Sequence, residues 1–360
     1  MYHFEELQSF AQNVFISLGC PPQQAQLAAE ILIDADLKGI DSHGIARLKG
    51  YVRLWEKERI NSAPKVTIPH QTPSTAVMDG DQGLGLVVAP QAMNLAIEKA
   101  RAVGTGWVSV KNSNHYGIAG YHACLALEHD MIGISMTNAS PLVAPTFSAE
   151  RLLGTNPIAV AIPALEEPPF VADFATTTVA NGKLEVMKRK QAPIPAGWAQ
   201  DQEGNPSTSA SSVEQGGALL PLGGARLTGG HKGYCLGSIV DIFSAVLSGA
   251  NYGPWVPPFV SFLDPPDDPV GAGIGHFFGA MRVDAFRPAT EFKTHMDQWI
   301  RRFRNSQTIS GQPQVLIPGD PERTTKEERK RQGIPLLPAV VQDLQKLADD
   351  FSLEPPRVIA

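Results

Sequence analysis

Cysteine is scarce in this chain. Cys20, Cys124 and Cys235 are all there is, an odd number without metal-ligand spacing, so neither a disulfide-stapled scaffold nor a zinc ribbon is expected and no metal site is implied. Reduced thiols of a cytoplasmic protein fit that pattern. Long apolar runs are also missing: none approaches the ~20 residues of a membrane span. The opening MYHFEELQSFAQNVF carries Glu5 and Glu6 where a signal peptide needs basic residues. Positive charge is not in surplus. Thirty Lys and Arg against 36 Asp and Glu leave a formal net charge of −6, which removes any general attraction for nucleic acid or anionic lipid. The densest basic run, KEERKR at residues 326–331, interleaves Glu with Lys and Arg and reads as a solvated helix face.

What is present is an ordinary globular composition, 43% hydrophobic over 360 residues, enough for two cores and so for two domains. The first segment predicts an amphipathic helix with Phe4, Leu7, Phe10, Val14 and Leu18 along one side. A second follows from Pro21 and Pro22, with Leu27, Ile31 and Ala35 spaced for burial. A third starts in DSHGIAR, continues through Leu48, Val52 and Trp55, and has Asp41 or Ser42 as its expected cap. Strand signals come next (KVTI, STAVMDG), then a Gly-rich turn, GDQGLG, and a helix ending at Gly104. The middle of the chain carries most of the β signal: GWVSVKN, MIGISMTN, PIAVAIP and PFVADFA. Residues 194–228, rich in Pro, Gly, Ser, Gln and Ala, predict a long surface loop. After them HKGYCLGSIVDIFSAVLSGANYG is the most apolar helix, suited to a core or a subunit interface. Five prolines then break VPPFVSFLDPPDDPVGAGIG into a crossover, and HFFGAMRVDAF supplies a last strand before helices at 289–304, in the charged tail and at 339–351.

Several strings combine residue types that do chemistry. GDQGLGLVV offers Gly83 and Gly85 of a dinucleotide fingerprint, but Val88 occupies the third glycine position, so a strand-to-helix turn is the preferred reading. DSHGIAR puts His43 and Arg47 four apart on one helical face. Arg can pair with a carboxylate while an imidazole exchanges a proton with a neighbouring oxygen, although capping plus a surface Arg explains the string equally well. VKNSNHYG places His115 and Tyr116 in a polar cluster at a strand end, so His115 is an alternative acid–base group. DFATTTVANGK offers Asp173 as a helix cap or as a partner for ribose hydroxyls or an imidazole. GGHKGYCLG sets Lys232 among glycines at a helix start, where amides and an ammonium can hold phosphate.

Taken in order, DSHGIAR, VKNSNHYGIAGYHA, GTNPIAVAIP, DFATTTVANGK, GHKGYCLGSIVDIFSAVLSG and GHFFGAMRVDAF resemble the malate/L-lactate dehydrogenase type 2 family. That family also holds ureidoglycolate, sulfolactate, diketogulonate and cyclic-imine oxidoreductases. The resemblance implies an α/β chain with a non-Rossmann NAD(P)-binding fold. A mixed, largely antiparallel sheet would form an inserted cofactor domain, here drawn at 111–269. A helix-rich discontinuous domain at 1–110 and 270–360 would serve substrate binding and dimerisation. It implies NAD or NADP as cofactor, a small carboxylate substrate and a homodimer with shared active sites, with no nucleic acid and no membrane. Hydride exchange with a 2-hydroxy or 2-oxo acid is the implied reaction; ketimine reduction and a non-catalytic binding paralogue are the alternatives. By position, Ser42 and His43 belong to a proton relay and Arg47 to the substrate carboxylate, with Tyr116 and Thr155 on the substrate side. His115 is favoured as the proton-transferring group, His43 and Asp173 being the other candidates. The expected cofactor contacts are His115, Ser140, Asn156, Asp173, Phe174, Ala175, Lys183, His231, Lys232, Gly233, His276, Phe277 and Phe278.

Overall fold

A computed structural model describes residues 1–359. Its first helix, α1 (Phe4–Ser17), buries Leu7, Phe10, Val14 and Phe15 on one side and has Glu5 and Glu6 in its first turn, where carboxylates favour the helix dipole. Pro22 opens α2 (Pro22–Leu37), which buries an Ala/Ile/Leu face from Ala25 to Ala35. A single 3₁₀ turn, Ile45–Arg47, leads into α3 (Leu48–Glu56). With α10 (Pro338–Phe351) these helices form one hydrophobic core, joined by Leu84, Leu86 and Val87 and by Phe259 from the proline-rich crossover.

The second core is built on a seven-stranded sheet of order β1-β2-β3-β10-β4-β5-β6. Its strands are β1 (Thr67–Gln71), β2 (Thr75–Gly83), β3 (Thr105–Ser113), β4 (Met131–Thr137), β5 (Ile158–Ile162), β6 (Phe170–Phe174) and β10 (Ile274–Arg282). Only β2 and β3 run parallel, so the sheet is mixed and mostly antiparallel, as expected. Helix α4 (Gly85–Val103) lies on it through small residues, Ala89, Ala92, Ala96 and Ala100, and stops at Gly104, whose φ of 94° the glycine accommodates. The short α5 (Ala119–Cys124) covers the β4–β5 half of the sheet.

Strand β3 spans residues 110 and 111, and β10 is hydrogen-bonded to β3 on one side and β4 on the other. Four sequence expectations need correction here. Residues 194–228 are not a structureless loop. They form a small sheet, β8-β7-β9, of two-residue strands β7 (Ala199–Gln200), β8 (Pro206–Ser207) and β9 (Ala218–Leu219). That sheet packs with Leu142, Val143 and Leu153, and with Leu184 of α6 (Asn181–Arg189), as a third apolar cluster. The apolar helix is shorter than expected. It runs as α7 (Gly230–Asp241), passes into a π-type turn at Ile242–Val246, and leaves Ile239, Ile242, Val246 and Leu247 exposed. The charged tail, α9 (Asp320–Gln332), is not wholly solvated. Lys326 pairs with Asp34 at 2.5 Å and Arg329 with Asp41. Between the last strand and α9 lies α8 (Ala289–Arg304), as expected.

The fourth correction concerns DSHGIAR. Neither Asp41 nor Ser42 caps a helix: Asp41 faces Arg329, and the Ser42 hydroxyl faces His43. Asp36 at the end of α2 does the capping, its carboxyl oxygen accepting the Ile45 N–H at 2.6 Å. Gly44 is what permits this, because a Cβ there would collide with the Asp36 carboxyl group.

Candidate active site

The helical core and the sheet core meet where α3 faces the segment after β3, and the polar residues of both motifs gather on that seam. From the helical side come Ser42, His43, Arg47 and Tyr51; from the sheet side comes His115. The His115 segment is held firmly. Asn114 donates to the carbonyl oxygens of Gln82 and Gly83 at 2.9 and 3.1 Å. The start of α4 also approaches so closely that a Cβ at Gly85 would strike the Asn114 and His115 backbone. Gly85 of GDQGLG therefore serves backbone packing against the site.

Two imidazoles stack here. The His43 and His115 ring centroids are 5.7 Å apart with planes 21° from parallel. Each has its Nδ1 engaged by a hydroxyl: Ser42 Oγ lies 2.9 Å from His43 Nδ1, and Tyr51 Oη lies 2.6 Å from His115 Nδ1. Both rings therefore keep Nε2 as the atom left to exchange a proton. On its other side His115 lies against the Phe259 ring, centroid to centroid 4.4 Å. Arg47 turns its Nε–H to the Ser42 carbonyl oxygen, which fixes the guanidinium without using its terminal nitrogens. Among the described residues no carboxylate lies within ion-pair distance of Arg47. A groove of about 1120 Å³, lined in part by Ser42, Arg47 and Phe259, opens beside this cluster.

Electrostatics follow from that placement. Burial, and then the Arg47 cation, bring His43 down to about 4. His115 is held well below its usual value by burial, by His43, by Arg47 and by His276. Both imidazoles are thus neutral at neutral pH in the free protein. Asp173, at the end of the edge strand β6, moves the other way. It is open to solvent along one side, yet the protein crowding its carboxyl raises it to about 6 against the lowering effect of the Gly120 N–H, which it accepts at 2.7 Å.

The remaining expected residues divide. Tyr116 is enclosed: its ring is 1% exposed and stacks on His276 at 4.8 Å inside the sheet core. His276 bridges Ser113 and Thr137 at 2.8 and 2.7 Å, Phe278 is fully buried, and Phe277 lies against Trp107, so these three side chains build the central strand. Asn156 and Ser140 are buried and spent on Gly237 O and the Phe259 N–H. Thr155 contributes its carbonyl oxygen to the Thr176 N–H. Phe174, Lys183 and Lys232 remain exposed, Ala175 and His231 partly so. His231 lies 2.9 Å from Arg226, and Gly233 is buried under Leu222, whose backbone a Cβ would strike. Sequence reading missed Tyr51, Phe259 and Asp36. Tyr51 alone carried a local signal, standing one helical turn after Arg47.

Comparison with known proteins decides the family. The model of the malate/L-lactate dehydrogenase family matches residues 2–345. The chain belongs to that family. It is similar to a malate dehydrogenase of Pyrococcus abyssi, 46% identical over 96% of this chain and 93% of that one. It is also similar to an L-sulfolactate dehydrogenase of Methanocaldococcus jannaschii, 38% identical over 95% and 94%. The structure of malate dehydrogenase from Pyrococcus horikoshii OT3 superposes with a TM-score of 0.89 at 41% identity, covering 98% of this chain and 96% of that one.

A dehydrogenase of this family needs room for a dinucleotide, and the exposed residues can be tested against one. Asp173 offers a carboxylate suited to ribose hydroxyls, Lys183 and Lys232 offer ammonium groups suited to a diphosphate, and Phe174 offers an exposed ring. The segments that carry them are tied to one another and to the seam. Leu222 N donates to Thr176 O at 2.9 Å, tying the continuation of β6 to the loop that packs on the start of α7. Gly182, at the start of α6, abuts Ser42 and Arg47. The donor set fits the group.

Proposed function

We propose that this protein is a nicotinamide-dependent dehydrogenase of small 2-hydroxy acids, with His115 as the group that exchanges the substrate proton. The observation that carries the reading is the seam itself: a neutral imidazole with one free nitrogen, stacked on a second, beside a guanidinium that has no carboxylate of its own. The relatives named for malate and sulfolactate act on hydroxy acids, which supports the same class here. The nicotinamide, NAD or NADP, would be held by Asp173, Phe174, Lys183 and Lys232, and when bound it exchanges a hydride with the carbon bearing the substrate oxygen.

The protein's own contribution is position and a proton. Arg47, with its terminal nitrogens free, pairs with the substrate carboxylate and thereby fixes the adjacent carbon. His115 Nε2 accepts the hydroxyl proton during oxidation and returns it during reduction. Ser42 and His43 form a second hydroxyl–imidazole pair closer to the groove, suited to passing that proton to solvent. The nicotinamide is bound without a Rossmann fingerprint, chiefly by the middle of the chain, while the flanking helices supply the hydroxy-acid site. The exposed apolar stripe at Ile239, Ile242, Val246 and Leu247 joins two copies into a homodimer, and three unpaired cysteines suit a reducing cytoplasm.

The test is oxidation of NADH and NADPH with oxaloacetate, pyruvate, sulfopyruvate and a cyclic imine carboxylate, for the wild type, His115→Ala and His43→Ala. Turnover of a 2-oxo acid that His115→Ala abolishes is expected. Turnover only of the imine, or full activity in His115→Ala, overturns the reading.

A further inference from the structure

Tyr51 has no assigned task, and its surroundings give it one. The residue is fully buried in α3, its ring edge-on to Phe15 at 6.0 Å and to Phe259 at 5.2 Å. Two acceptors lie near its hydroxyl, and both belong to His115: Nδ1 at 2.6 Å and the carbonyl oxygen at 3.4 Å. The Gly117 N–H also points at Nδ1, from 3.4 Å. A phenol enclosed in an apolar core with one residue's atoms as its partners is placed for that residue.

We propose that Tyr51 is a positioning residue for His115 that serves the imidazole in both protonation states of the reaction. To accept the substrate proton at Nε2 the neutral ring must carry its own proton on Nδ1, so the tautomer protonated on Nε2, in which the phenol O–H and the Gly117 N–H both point at Nδ1, is the resting alternative and not the form that reacts. In the imidazolium, or in the neutral ring carrying its proton on Nδ1, the Nδ1–H donates to the phenol oxygen and the phenol O–H turns to the His115 carbonyl oxygen. No bond to oxygen breaks in this exchange, because the hydroxyl only rotates. Burial raises the Tyr51 phenol far above its usual value, so it stays protonated and keeps a hydrogen to donate. The proton that moves in catalysis therefore leaves through Nε2, since Tyr51 leads only into the core.

The other charged or titratable groups bearing on His115 are His43, Arg47 and His276, all of which disfavour the cation. Tyr51 is the neighbour that can stabilise it by accepting a hydrogen bond, and such bonds are stronger to a charged donor. Its removal should lower the His115 pKa further.

The inference rests on His115 being the acid–base group, and the experiment separates the two. Tyr51→Phe keeps the ring and its packing. Expected are an unchanged fold, a kcat lower by about 10- to 100-fold, part of the roughly 10²–10⁴ that a positioned acid–base group supplies, and a KM for the hydroxy acid within about twofold, since Arg47 is untouched. The pH limb of kcat in both directions should move to lower pH, and nitrogen NMR of the imidazole should show mixed tautomers in place of one. A Tyr51→Phe enzyme with an unmoved pH limb and an unchanged tautomer overturns the inference, even with a lower kcat. An active His115→Ala enzyme would instead overturn the reading of His115.

Discussion

His43 and His115 stand face to face, 5.7 Å between ring centroids, one from the turn before α3 and the other from the segment after β3. Burial disfavours the cation on both rings, and the Arg47 guanidinium beside them adds to it. A substrate carboxylate on Arg47 cancels that positive charge, so both imidazoles should rise in pKa when an anion binds. Binding an unreactive dicarboxylate such as malonate near pH 5 should therefore draw protons from solution. Calorimetry in buffers of different ionisation enthalpy measures this directly. Heats independent of the buffer would show that Arg47 and the imidazoles are not coupled.

Arg47 should be irreplaceable by a simple cation. Its Nε is committed to the Ser42 carbonyl oxygen, leaving a planar pair of donors for a carboxylate. Lysine keeps charge but not the paired geometry. For Arg47→Gln, KM for the hydroxy acid should rise and kcat/KM fall by about 10- to 100-fold, the worth of a charge-assisted pair of roughly 1.5–3 kcal/mol. Arg47→Lys should recover only part. Steady-state kinetics decides it: two variants with wild-type KM would remove Arg47 from the substrate site.

Asp36 links α2 to the segment that carries His43 and Arg47. Burial lifts its carboxyl to about 8, yet one oxygen still accepts the Ile45 N–H at 2.6 Å. An amide keeps that acceptor, whereas a methyl does not. Asp36→Asn should fold and work nearly as the wild type. Asp36→Ala should lose about 1–2 kcal/mol, the usual range for a lost cap, together with activity as His43 and Arg47 drift. Denaturant melts and kcat compared across the pair test this. Equal behaviour of the two variants would mean the Ile45 N–H is not what Asp36 serves.

Acid should unfold this protein through its histidines. His43 and His122 lie near 4 and His276 near 3, burial being the largest cause in each, and all three would titrate near 6.5 in an unfolded chain. The unfolded state then binds more protons at these groups, so their contribution to stability is complete above about pH 6.5 and is lost as pH falls toward 4. Asp36 and Asp173, raised to about 8 and about 6, and Asp241, raised by its burial, act with the opposite sign, but with His115, also lowered by burial, the imidazoles outnumber them. Urea midpoints should fall steadily between pH 6.5 and 4. A flat profile would mean that the buried imidazoles are hydrated or paired in solution.

How much of this was legible in the sequence depends on range. The six motifs marked Ser42, His43, Arg47, His115 and Asp173 because polar clusters at element ends are local features. Tyr116 and His276 look no different in the sequence. Their burial is decided by which side of a strand or loop faces the sheet core, and that depends on distant partners such as Ser113, Thr137 and Ser135. The capping of DSHGIAR by Asp36 was hidden for the same reason, since Asp36 sits in a different helix. Two-residue strands such as β7 and β8 have no period to read. The crossover's prolines announced a break but not that Phe259 would lie flat on His115.

The exposed stripe beyond α7 makes the last prediction. Ile242, Val246 and Leu247 are 50%, 52% and 59% exposed on one segment, a clustering that solvent alone does not favour. Their backbone belongs to the same turn whose Phe243 carbonyl oxygen accepts the Ser109 hydroxyl at 2.9 Å, so the stripe is anchored to the sheet that carries His115. A second copy covering it would bury that area and hold both sites in fixed relation. Leu247→Asp alters a side chain that is 59% exposed and should turn the dimer proposed above into a monomer, with activity falling as the protein is diluted. A Leu247→Asp protein of unchanged sedimentation would place the subunit contact elsewhere, whereas a monomeric variant with full activity would show that each site is complete within one chain.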